Sequence, residues 1–510
     1  MRRSFLLLFF ATLALLSGPR ALLAQKGPGG QFELKVIDRD TREPIACRMH
    51  LTNAGKRALK APRVPFWHDH FVFDGTVTVK LPKGKYEFVI ERGLEYLSQS
   101  GHFEMDNFSD DSKVIELTRA VDMAKEGWWS GDVDVARPAK DLELLMKADD
   151  LHVAQLITWP GRQSLLGKLG VNDPLIRFDS DRYIHLLAGI DARAGGTLLL
   201  FNLQTPLDLK NAQPEFPSQL DTIASVRQVE GWVDVQKAYS WDLPVWIATG
   251  GVDSIQVLNS NLRRKEVLTS EKGGKPRPTK KFPGKSGNGR WSEQIYYDLL
   301  NCGLRIPPSA GSGSGEFGNP VGYNRMYVHV DGDFTYEKWW QSVRAGQVMV
   351  TNGPLIRPLV EGELPGHVFK SEAGSSIELS AALTLSTRDK ISHIEIVQNG
   401  HVTHKSSIDE LVKSGGRMPP LVFERSGWFL IRATAEVPET DRYAMTAPYY
   451  VEIGDEPRIS KTSASFFLDW VNERMKAIKL EDPKELATVM KHHQQARAFW
   501  KALVEKANVE

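Results

Sequence analysis

The chain of 510 residues is poor in cysteine, shows no excess of either charge and contains a single long apolar run. Its two cysteines, Cys47 and Cys302, exclude a disulfide scaffold and a thiolate zinc site, and we expect both to be free, buried thiols. Lys and Arg number 64 and Asp and Glu number 63, which excludes a strongly basic nucleic-acid binder. With 41% hydrophobic residues, the chain has ordinary globular composition.

The long apolar run lies at the N-terminus. Arg2 and Arg3 precede apolar residues 5–16, and small residues follow up to Ala24. This order is typical of a secretory signal peptide, and the run is shorter than the ~20 apolar residues that span a bilayer. We therefore predict a signal peptide over residues 1–24, a secreted or periplasmic protein, and no transmembrane segment after cleavage. An uncleaved membrane anchor is the alternative.

Hydrophobic patterning divides the rest of the chain into four parts. Residues 31–120 alternate apolar and polar residues in short runs, which predicts an N-terminal β-sandwich. Residues 121–352 combine apolar runs with helical stretches, a texture typical of parallel sheet in an α/β layer or barrel. Residues 353–457 return to alternation and predict a second antiparallel β-sandwich. Residues 458–510 predict a helical tail.

Local signals support this division. Asn399-Gly400 is a strong hairpin signal, and Asp482-Pro483 reads as the N-cap and first residue of a helix. The apolar runs expected as buried strands of the central part are Ala154–Thr158, Thr197–Phe201, Val245–Ala248 and Met326–Val330. The expected central helices are Ala139–Asp150, Arg182–Ala188 and Ser292–Cys302.

Residues 262–290 differ from the rest of the central part. They hold ten Lys or Arg against two Glu, with Gly and Pro throughout, which predicts a long, exposed and mobile loop. The loop is interpreted either as a solvated insertion or as a basic lid over an anionic substrate.

The segment Gly127–Ala136 resembles the opening motif of the CehA/McbA group of PHP-type (polymerase and histidinol phosphatase) metallohydrolases. The resemblance continues through residues 92–96, 141–152, 297–305 and 344–354. It implies a central distorted (β/α)7 barrel, of TIM-like architecture, with metals at the C-terminal strand ends. It also implies hydrolase chemistry, in which water activated by a metal attacks an ester, phosphoester or amide.

Three metal-ligand motifs of that family are changed here. The family's Gly-Asp-Leu-His-x-His is Gly-Asp-Val-Asp-Val-Ala at residues 131–136. Its Thr-Asp-His is Thr-Trp-Pro at residues 158–160, and its Ser-Asp-x-His is Ser-Gly-Ser-Gly at residues 312–315. Because a metal centre needs several converging donors, we expect no cofactor or, at most, a single divalent metal on the oxygen and nitrogen donors that remain.

Asp132 and Asp134 are the candidate catalytic residues, because residues two apart on a strand share a face. The alternative is that they pair with arginines. Candidate ligand-pocket residues are Trp129, Arg137, His152, Trp159, Asp191, Asn202, Asp253, Arg305, Ser312 and Ser314. His152 and His185 are also interpreted as core histidines. The discriminating observation is whether Asp132, Asp134, Asp191 and Asp253 converge on one cavity.

Three further features have open interpretations. Ser312 and Ser314 lie in a Gly-rich loop that suits an anion contact or a nucleophile, although the Gly-x-Ser-x-Gly pattern is not met. Residues 67–70, Trp-His-Asp-His, place two histidines at the spacing of a metal site, but no third ligand is visible. Nine of the 13 tryptophans fall in residues 121–352, as core or as stacking faces for sugar rings.

Three functions follow from these expectations. The first is a non-catalytic binding module that retains a pocket for a small-molecule, glycan or anionic ligand, and binds no nucleic acid. The second is a metal-dependent hydrolase with a remodelled site, in which paired carboxylates of separated pKa do acid–base chemistry. The third is a structural or adhesive secreted protein.

Overall fold

The structure, a computed structural model, describes residues 29–160 and 173–510. Strands account for 38% of the described residues and helices for 21%. The predicted signal peptide lies outside the described residues. Within them, no helix is both long enough and apolar enough to cross a membrane. Cys47 and Cys302 are free and buried, as expected.

Eight strands build the N-terminal part. They are β1 (Gly30–Asp38), β2 (Ala46–Asn53), β3 (Phe66–Trp67), β4 (His70–Asp74), β5 (Thr76–Leu81), β6 (Gly84–Glu91), β7 (Gln99–Met105) and β8 (Asp110–Leu117). They form two sheets of order β5-β1-β8 and β3-β4-β2-β6-β7. Phe32, Leu34 and Val36 of β1 are buried in one core with β2, β4 and β6, while Glu33 and Lys35 are exposed, so the predicted alternation is confirmed.

The central part begins after a short 3-10 turn, Ala124–Glu126. Its strands are β9 (Trp128–Val135), β10 (Val153–Trp159), β11 (Leu175–Phe178), β12 (Arg182–Arg193), β13 (Gly196–Phe201), β14 (Trp232–Val235), β15 (Ser254–Leu258), β16 (Pro308–Ala310), β17 (Arg325–His329) and β18 (Val348–Thr351). Its helices are α1 (Ala139–Ala148), α2 (Gln219–Gln228), α3 (Leu243–Ala248), α4 (Gly287–Asn301) and α5 (Tyr336–Arg344).

The expected distorted (β/α)7 barrel, the PHP-type and TIM-like architecture, is wrong. The strands belong to one 16-stranded mixed sheet with few helices. In it, β12, β13 and β14 pair antiparallel, and β12 and β13 are joined by a hairpin, whereas a repeating barrel of β/α units needs parallel neighbours joined by helices. The architecture therefore gives no support to the resemblance to PHP-type hydrolases.

Two local expectations fail for a related reason. The run Val245–Ala248 lies in helix α3, where Pro244 occupies the first turn. Residues 182–188 belong to strand β12 and not to a helix. Short apolar runs do not distinguish a buried strand from a buried helix by periodicity alone.

The large sheet continues into the C-terminal part. The elements added are β19 (Leu355–Val360), β20 (Val368–Ser371), β21 (Ile377–Leu379), β22 (Ala381–Ser386), β23 (Ile391–Gln398), β24 (His401–Ser406), α6 (Ile408–Lys413), β25 (Leu421–Phe423), β26 (Gly427–Ala435), β27 (Tyr443–Thr446) and β28 (Tyr449–Ile453). The strand order of the large sheet is β16-β15-β14-β13-β12-β10-β9-β17-β18-β27-β26-β23-β24, with β11 beside β12 and β28 joining β20 to β26. Asn399 and Gly400 take positive φ between β23 and β24, which confirms the predicted hairpin.

Two helices, α7 (Lys461–Ala477) and α8 (Pro483–Glu505), form the predicted tail. Asp482 caps α8 by accepting a hydrogen bond from Lys484 N at 2.7 Å. Phe467 and Trp500 stack with ring centroids 4.6 Å apart, and Trp500 Nε1 donates to Pro244 O at 2.9 Å. The tail is therefore packed against α3 of the central part.

Buried ion pairs join the N-terminal sheets to the large sheet. Asp150, which follows α1, contacts three guanidinium groups: Arg92 at 3.1 Å, Arg182 at 3.0 Å and Arg119 at 2.7 Å. Its neighbour Asp149 pairs with Arg48 of β2. These charges lie away from solvent, where breaking a pair leaves the remaining charges uncompensated.

Replacing Asp150 by Asn keeps the shape of the side chain and its tolerance of the positive φ of 48°, but removes the charge that three arginines share. We expect the free energy of unfolding to fall by about 3–5 kcal/mol, measured by urea denaturation. The control is Glu87→Ala, which breaks an exposed pair with Lys56 and should cost no more than ~1 kcal/mol. Equal losses in the two variants would contradict the structural role of Asp150.

Candidate metal-binding cavity

Asp132 and Asp134 lie together in a buried polar cluster at the C-terminal end of β9. Asp132 Oδ1 accepts hydrogen bonds from Ser312 N and Asp134 N, each at 3.0 Å, and Oδ2 accepts from Gly322 N at 2.7 Å and from Ser312 Oγ. Gln236 Nε2 donates to Asp134 at 2.9 Å. Burial raises the pKa of Asp132 to about 7 and that of Asp134 to about 6. Each of these hydrogen-bond donors is an uncharged group of the chain itself.

Asp234 extends this cluster at the end of β14. It accepts hydrogen bonds from Gln256 Nε2 at 2.9 Å and from the hydroxyls of Ser254 and Ser309, and burial raises its pKa to about 7. Lys237 follows on the same segment, and burial lowers its pKa to about 8. Its Nζ donates to Asn259, Ser260 and Asn261 at 3.0, 2.8 and 3.0 Å. Asp234 and Lys237 were not predicted as site residues from the sequence, although polar residues at the end of an apolar strand are a usual signal of a site.

The other candidate residues from the sequence lie apart from this cluster, and each contacts a different partner. The pairs are Trp159 with Leu187, Asp191 with Arg193, Asn202 with Tyr336, Asp253 with Arg227, and Arg305 with Glu452. Asp191 and Asp253 are thus each neutralised by an arginine. In the described part of the chain, they form no three-ligand group with Asp132 and Asp134.

Two histidines of the central part, His152 and His185, sit in the core. His152 Nδ1 lies 2.9 Å from Ser130 Oγ, and burial lowers the pKa of His152 to about 3. Its ring is nearly perpendicular to that of Trp129, which stacks on Phe334 with centroids 4.0 Å apart. His185 lies in β12, and burial lowers its pKa to about 4. Neither histidine is hydrogen-bonded to the aspartate cluster.

Arg137 and Ser314 lie between that cluster and the N-terminal sheets. The Arg137 guanidinium stands 4.6 Å from the ring centroid of Trp67, and burial lowers its pKa to about 10. Ser314 pairs through its backbone with Val135 of β9. Trp67 Nε1 donates to Phe317 O at 2.7 Å, so the hairpin of β3 and β4 is held against the loop that follows Ser314.

One group of three His, Cys, Asp or Glu side chains in the described residues has all its ligand atoms within 4.8 Å of one another: His50, Asp69 and His70. His70 opens β4, and Asp69 lies in the two-residue loop between β3 and β4, where His68 takes a φ of 51°. The register of β2 on β4 sets Met49 opposite Phe71, which brings His50 of the next position towards His70. The third ligand that the sequence left open is therefore supplied by a neighbouring strand.

The geometry of this group is that of a site that could hold a metal ion. Asp69 Oδ1 lies 3.2 Å from both His50 Nδ1 and His70 Nδ1. His50 is 6% exposed, and neither of its ring nitrogens has a hydrogen-bond partner. Glu91 Oε2 lies 3.4 Å from His50 Nε2, outside hydrogen-bond geometry but close enough to orient the imidazole if His50 held a metal.

The ionisation states suit metal binding. Burial lowers the pKa of His70 to about 3, so its imidazole is neutral at neutral pH. Its Nδ1 is hydrogen-bonded to Asp69 Oδ1 at 3.2 Å, and a metal held on Nδ1 would replace the proton of that bond. Burial opposes ionisation of Asp69, yet the imidazoles of His50 and His70 and the ammonium of Lys265 hold the pKa of that carboxyl well below its usual range. Neutral imidazole and ionised carboxylate are the forms that bind divalent metals.

A cavity of about 260 Å³ adjoins the group. Its walls are His68, Asp69, Arg263, Arg264, Lys265, Glu266, Gly318 and Asn319, so the basic loop of residues 262–290 supplies half of the lining. A Cβ at Gly318 would lie 3.0 Å from His68 Cγ, so glycine lets the two walls approach closely without displacing His68. Asp69 belongs to both the cavity wall and the three-residue group.

No protein-family model matches the chain, and no curated protein matches it. Among solved structures, it is similar over short stretches to the Bacillus anthracis TIE protein (14% identity, 21% of this chain and 19% of that chain, TM-score 0.15). A pilus-presented adhesin, Cpa, aligns at 14% identity over 18% of this chain and 28% of that chain (TM-score 0.14). The fibronectin(III)-like modules of Clostridium thermocellum CbhA align at 18% identity over 19% and 96% (TM-score 0.14). The chain spans about a fifth of the first of these proteins, and TM-scores this low support no inference about function.

The raised pKa of Asp234 predicts a pH dependence of stability. The pKa is about 7 in the folded protein against 3.8 for a free side chain, so this carboxyl favours folding below pH 4 and loses that contribution as the pH rises to 7. Asp234→Asn should therefore flatten the pH dependence of the free energy of unfolding. As the pH rises from 4 to 8, that free energy should increase by on the order of 2–4 kcal/mol in the variant relative to the wild type. Urea denaturation across this range measures it. Asp221→Asn, which changes an exposed aspartate, is the control, and parallel curves for all three proteins would contradict the prediction.

Proposed function

We propose that this chain is a binding protein whose ligand enters the cavity beside Asp69, where His50, Asp69 and His70 hold one divalent metal ion. The observation that carries the proposal is the shared position of Asp69, which faces the two histidines with Oδ1 and lines the cavity. A ligand in the cavity would therefore meet the open side of the metal.

Zinc fits this donor set best. Zinc takes His nitrogen and carboxylate oxygen at ~2.0–2.2 Å in tetrahedral sites, which separates neighbouring ligand atoms by about 3.4 Å. The two spacings of 3.2 Å from Asp69 Oδ1 to the imidazole nitrogens are close to that separation. Three protein ligands leave the fourth position of a tetrahedral ion for a group of the bound ligand.

Binding is favoured over hydrolysis by the remaining cavity wall. A hydrolase needs a general base within reach of the attacking water. The described lining residues include two carboxylates, and the first, Asp69, is committed to the histidines. The second, Glu266, is paired with Arg263 at 2.6 Å. The buried aspartates of the central cluster are satisfied by donors of the chain itself and do not line this cavity.

A purely structural group is the competing interpretation. Lys265 Nζ lies 2.8 Å from Asp69 Oδ2, and Arg264 lies 4.0 Å from the same oxygen. These cations already balance the Asp69 carboxylate and would repel a second positive charge. Metal binding must therefore displace Lys265 from Asp69. The Lys265 side chain is 63% exposed to solvent and can rotate into water.

Metal content of the purified full-length chain tests the proposal. After incubation with zinc and dialysis against chelator-free buffer, we expect about one zinc ion per wild-type chain by inductively coupled plasma mass spectrometry, and a higher melting temperature than in metal-free protein. His50→Ala should lose both the zinc and the thermal shift, because it removes one of three ligands.

His102→Ala is the matched control, since it removes an exposed histidine of β7 in the same sheet and should keep the metal. Zinc bound equally by the wild type and His50→Ala, or by neither, would refute the site. Zinc lost only in Asp134→Asn would place it in the central cluster instead.

A further inference from the structure

We infer that the ligand of the cavity carries an oxyanion, a carboxylate or a phosphate group, which Arg263 and Arg264 bind. This inference rests on the proposed ligand site and specifies its chemistry. Three consecutive cationic residues, Arg263, Arg264 and Lys265, line the cavity. Planar guanidinium groups bind carboxylates and phosphates through paired hydrogen bonds, which makes arginine the usual residue for such ligands.

The two arginines are held in place before any ligand arrives. Arg263 stacks over the Phe317 ring at 4.5 Å, and its buried Nε has no hydrogen-bond partner. The backbone of Arg264 is fixed by a hydrogen bond from Arg264 N to Asn319 Oδ1 at 3.1 Å. Its guanidinium is held 3.4 Å from Glu91 Oε2 and 4.0 Å from Asp69 Oδ2, so an oxyanion would share this group with the two carboxylates. Preorganised donors bind a ligand at a smaller entropic cost than flexible ones.

The charge balance of the cavity depends on the metal. Without metal, Lys265 pairs with Asp69 and Arg263 pairs with Glu266, so the lining is only slightly positive. A divalent ion on Asp69 would release Lys265 and add two positive charges at the wall. The loaded cavity would then attract an anion through the charge of the ion and of the released Lys265, in addition to the two arginines that remain beside their carboxylates.

The lining argues against a neutral sugar as the principal ligand. Sugar rings are commonly held against aromatic faces, and the described lining contains no Trp, Tyr or Phe. The tryptophans of the central part that the sequence offered for stacking include Trp128, Trp159 and Trp232, which are at most 3% exposed. The cavity volume of about 260 Å³ suits a small molecule rather than an extended glycan.

Isothermal titration calorimetry of the zinc-loaded full-length chain with inorganic phosphate, succinate and glucose tests the inference. We expect phosphate or succinate to bind and glucose not to bind. The stronger of the two anions identifies the phosphate or the carboxylate as the preferred group. Arg263→Gln should weaken anion binding about tenfold or more, since a charge-assisted hydrogen bond contributes ~1.5–3 kcal/mol.

A second test variant and a control variant complete this experiment. Lys265→Gln changes a solvent-exposed side chain of the lining and should also weaken anion binding, so the inference stays testable if Arg263→Gln folds poorly. Lys272→Gln changes an exposed lysine of the same loop outside the cavity and should bind as the wild type does. Anion affinity that is unchanged in both Arg263→Gln and Lys265→Gln, or glucose binding as tight as phosphate, would overturn the inference.

The two proposals fail in different ways. Zinc bound through His50 with no binding of either anion would overturn the inference and leave the metal site intact. Anion binding that depends on Arg263 in a chain that takes up no zinc would overturn the metal site and support the arginines as the ligand-binding groups.

Discussion

Burial of charge between the N-terminal sheets and the large sheet is the constraint on which the rest of the structure depends. An unpaired carboxylate or guanidinium away from water costs several kcal/mol, so Asp149 and Asp150 fix which arginines must be present and where. Arg48 and Arg92 come from the N-terminal sheets, whereas Arg182 comes from β12. Neither part can turn against the other without breaking several of these pairs at once.

The candidate site depends on the same packing. Arg48 and His50 lie two residues apart on β2 and share a face, and Glu91 contacts both of them. The cavity has His68 and Asp69 from the N-terminal sheets on one side and residues 263–266 and 318–319 on the other. A shift between the two parts would open the cavity and separate Asp69 from Lys265. The ion pairs of Asp149 and Asp150 therefore help to set the geometry of the candidate site.

Local order could be predicted from the sequence, whereas long-range pairing could not. Alternation in β1, the Asn399-Gly400 turn and the Asp482 cap depend on neighbouring residues, and the structure confirms them. The (β/α)7 barrel, which the family resemblance implied, was wrong. The parallel sheet that the apolar runs favoured failed as well, because such runs do not encode whether neighbouring strands are parallel. For the site, residues 67–70 indicated two histidines at ligand spacing, but His50 lies on another strand and meets them only through the register of β2 on β4. Asp132 and Asp134, which the sequence placed on one strand face, lie in one hydrogen-bonded cluster. Asp191 and Asp253 pair with Arg193 and Arg227, which the sequence could not predict.

The proximity of Lys265, Asp69 and the histidines makes metal and anion binding interdependent. In the metal-free protein, Lys265 and the carboxylate of Asp69 satisfy each other, and both partners must separate before the cavity can take either ligand. A metal ion on Asp69 frees Lys265 for an anion, and an anion that draws Lys265 away frees Asp69 for a metal. Because coupling between two bound ligands is reciprocal, whatever factor the metal adds to anion affinity must also appear in the affinity for the metal when the anion is present. The cations that oppose metal binding in the empty cavity would thus favour it once an oxyanion is bound.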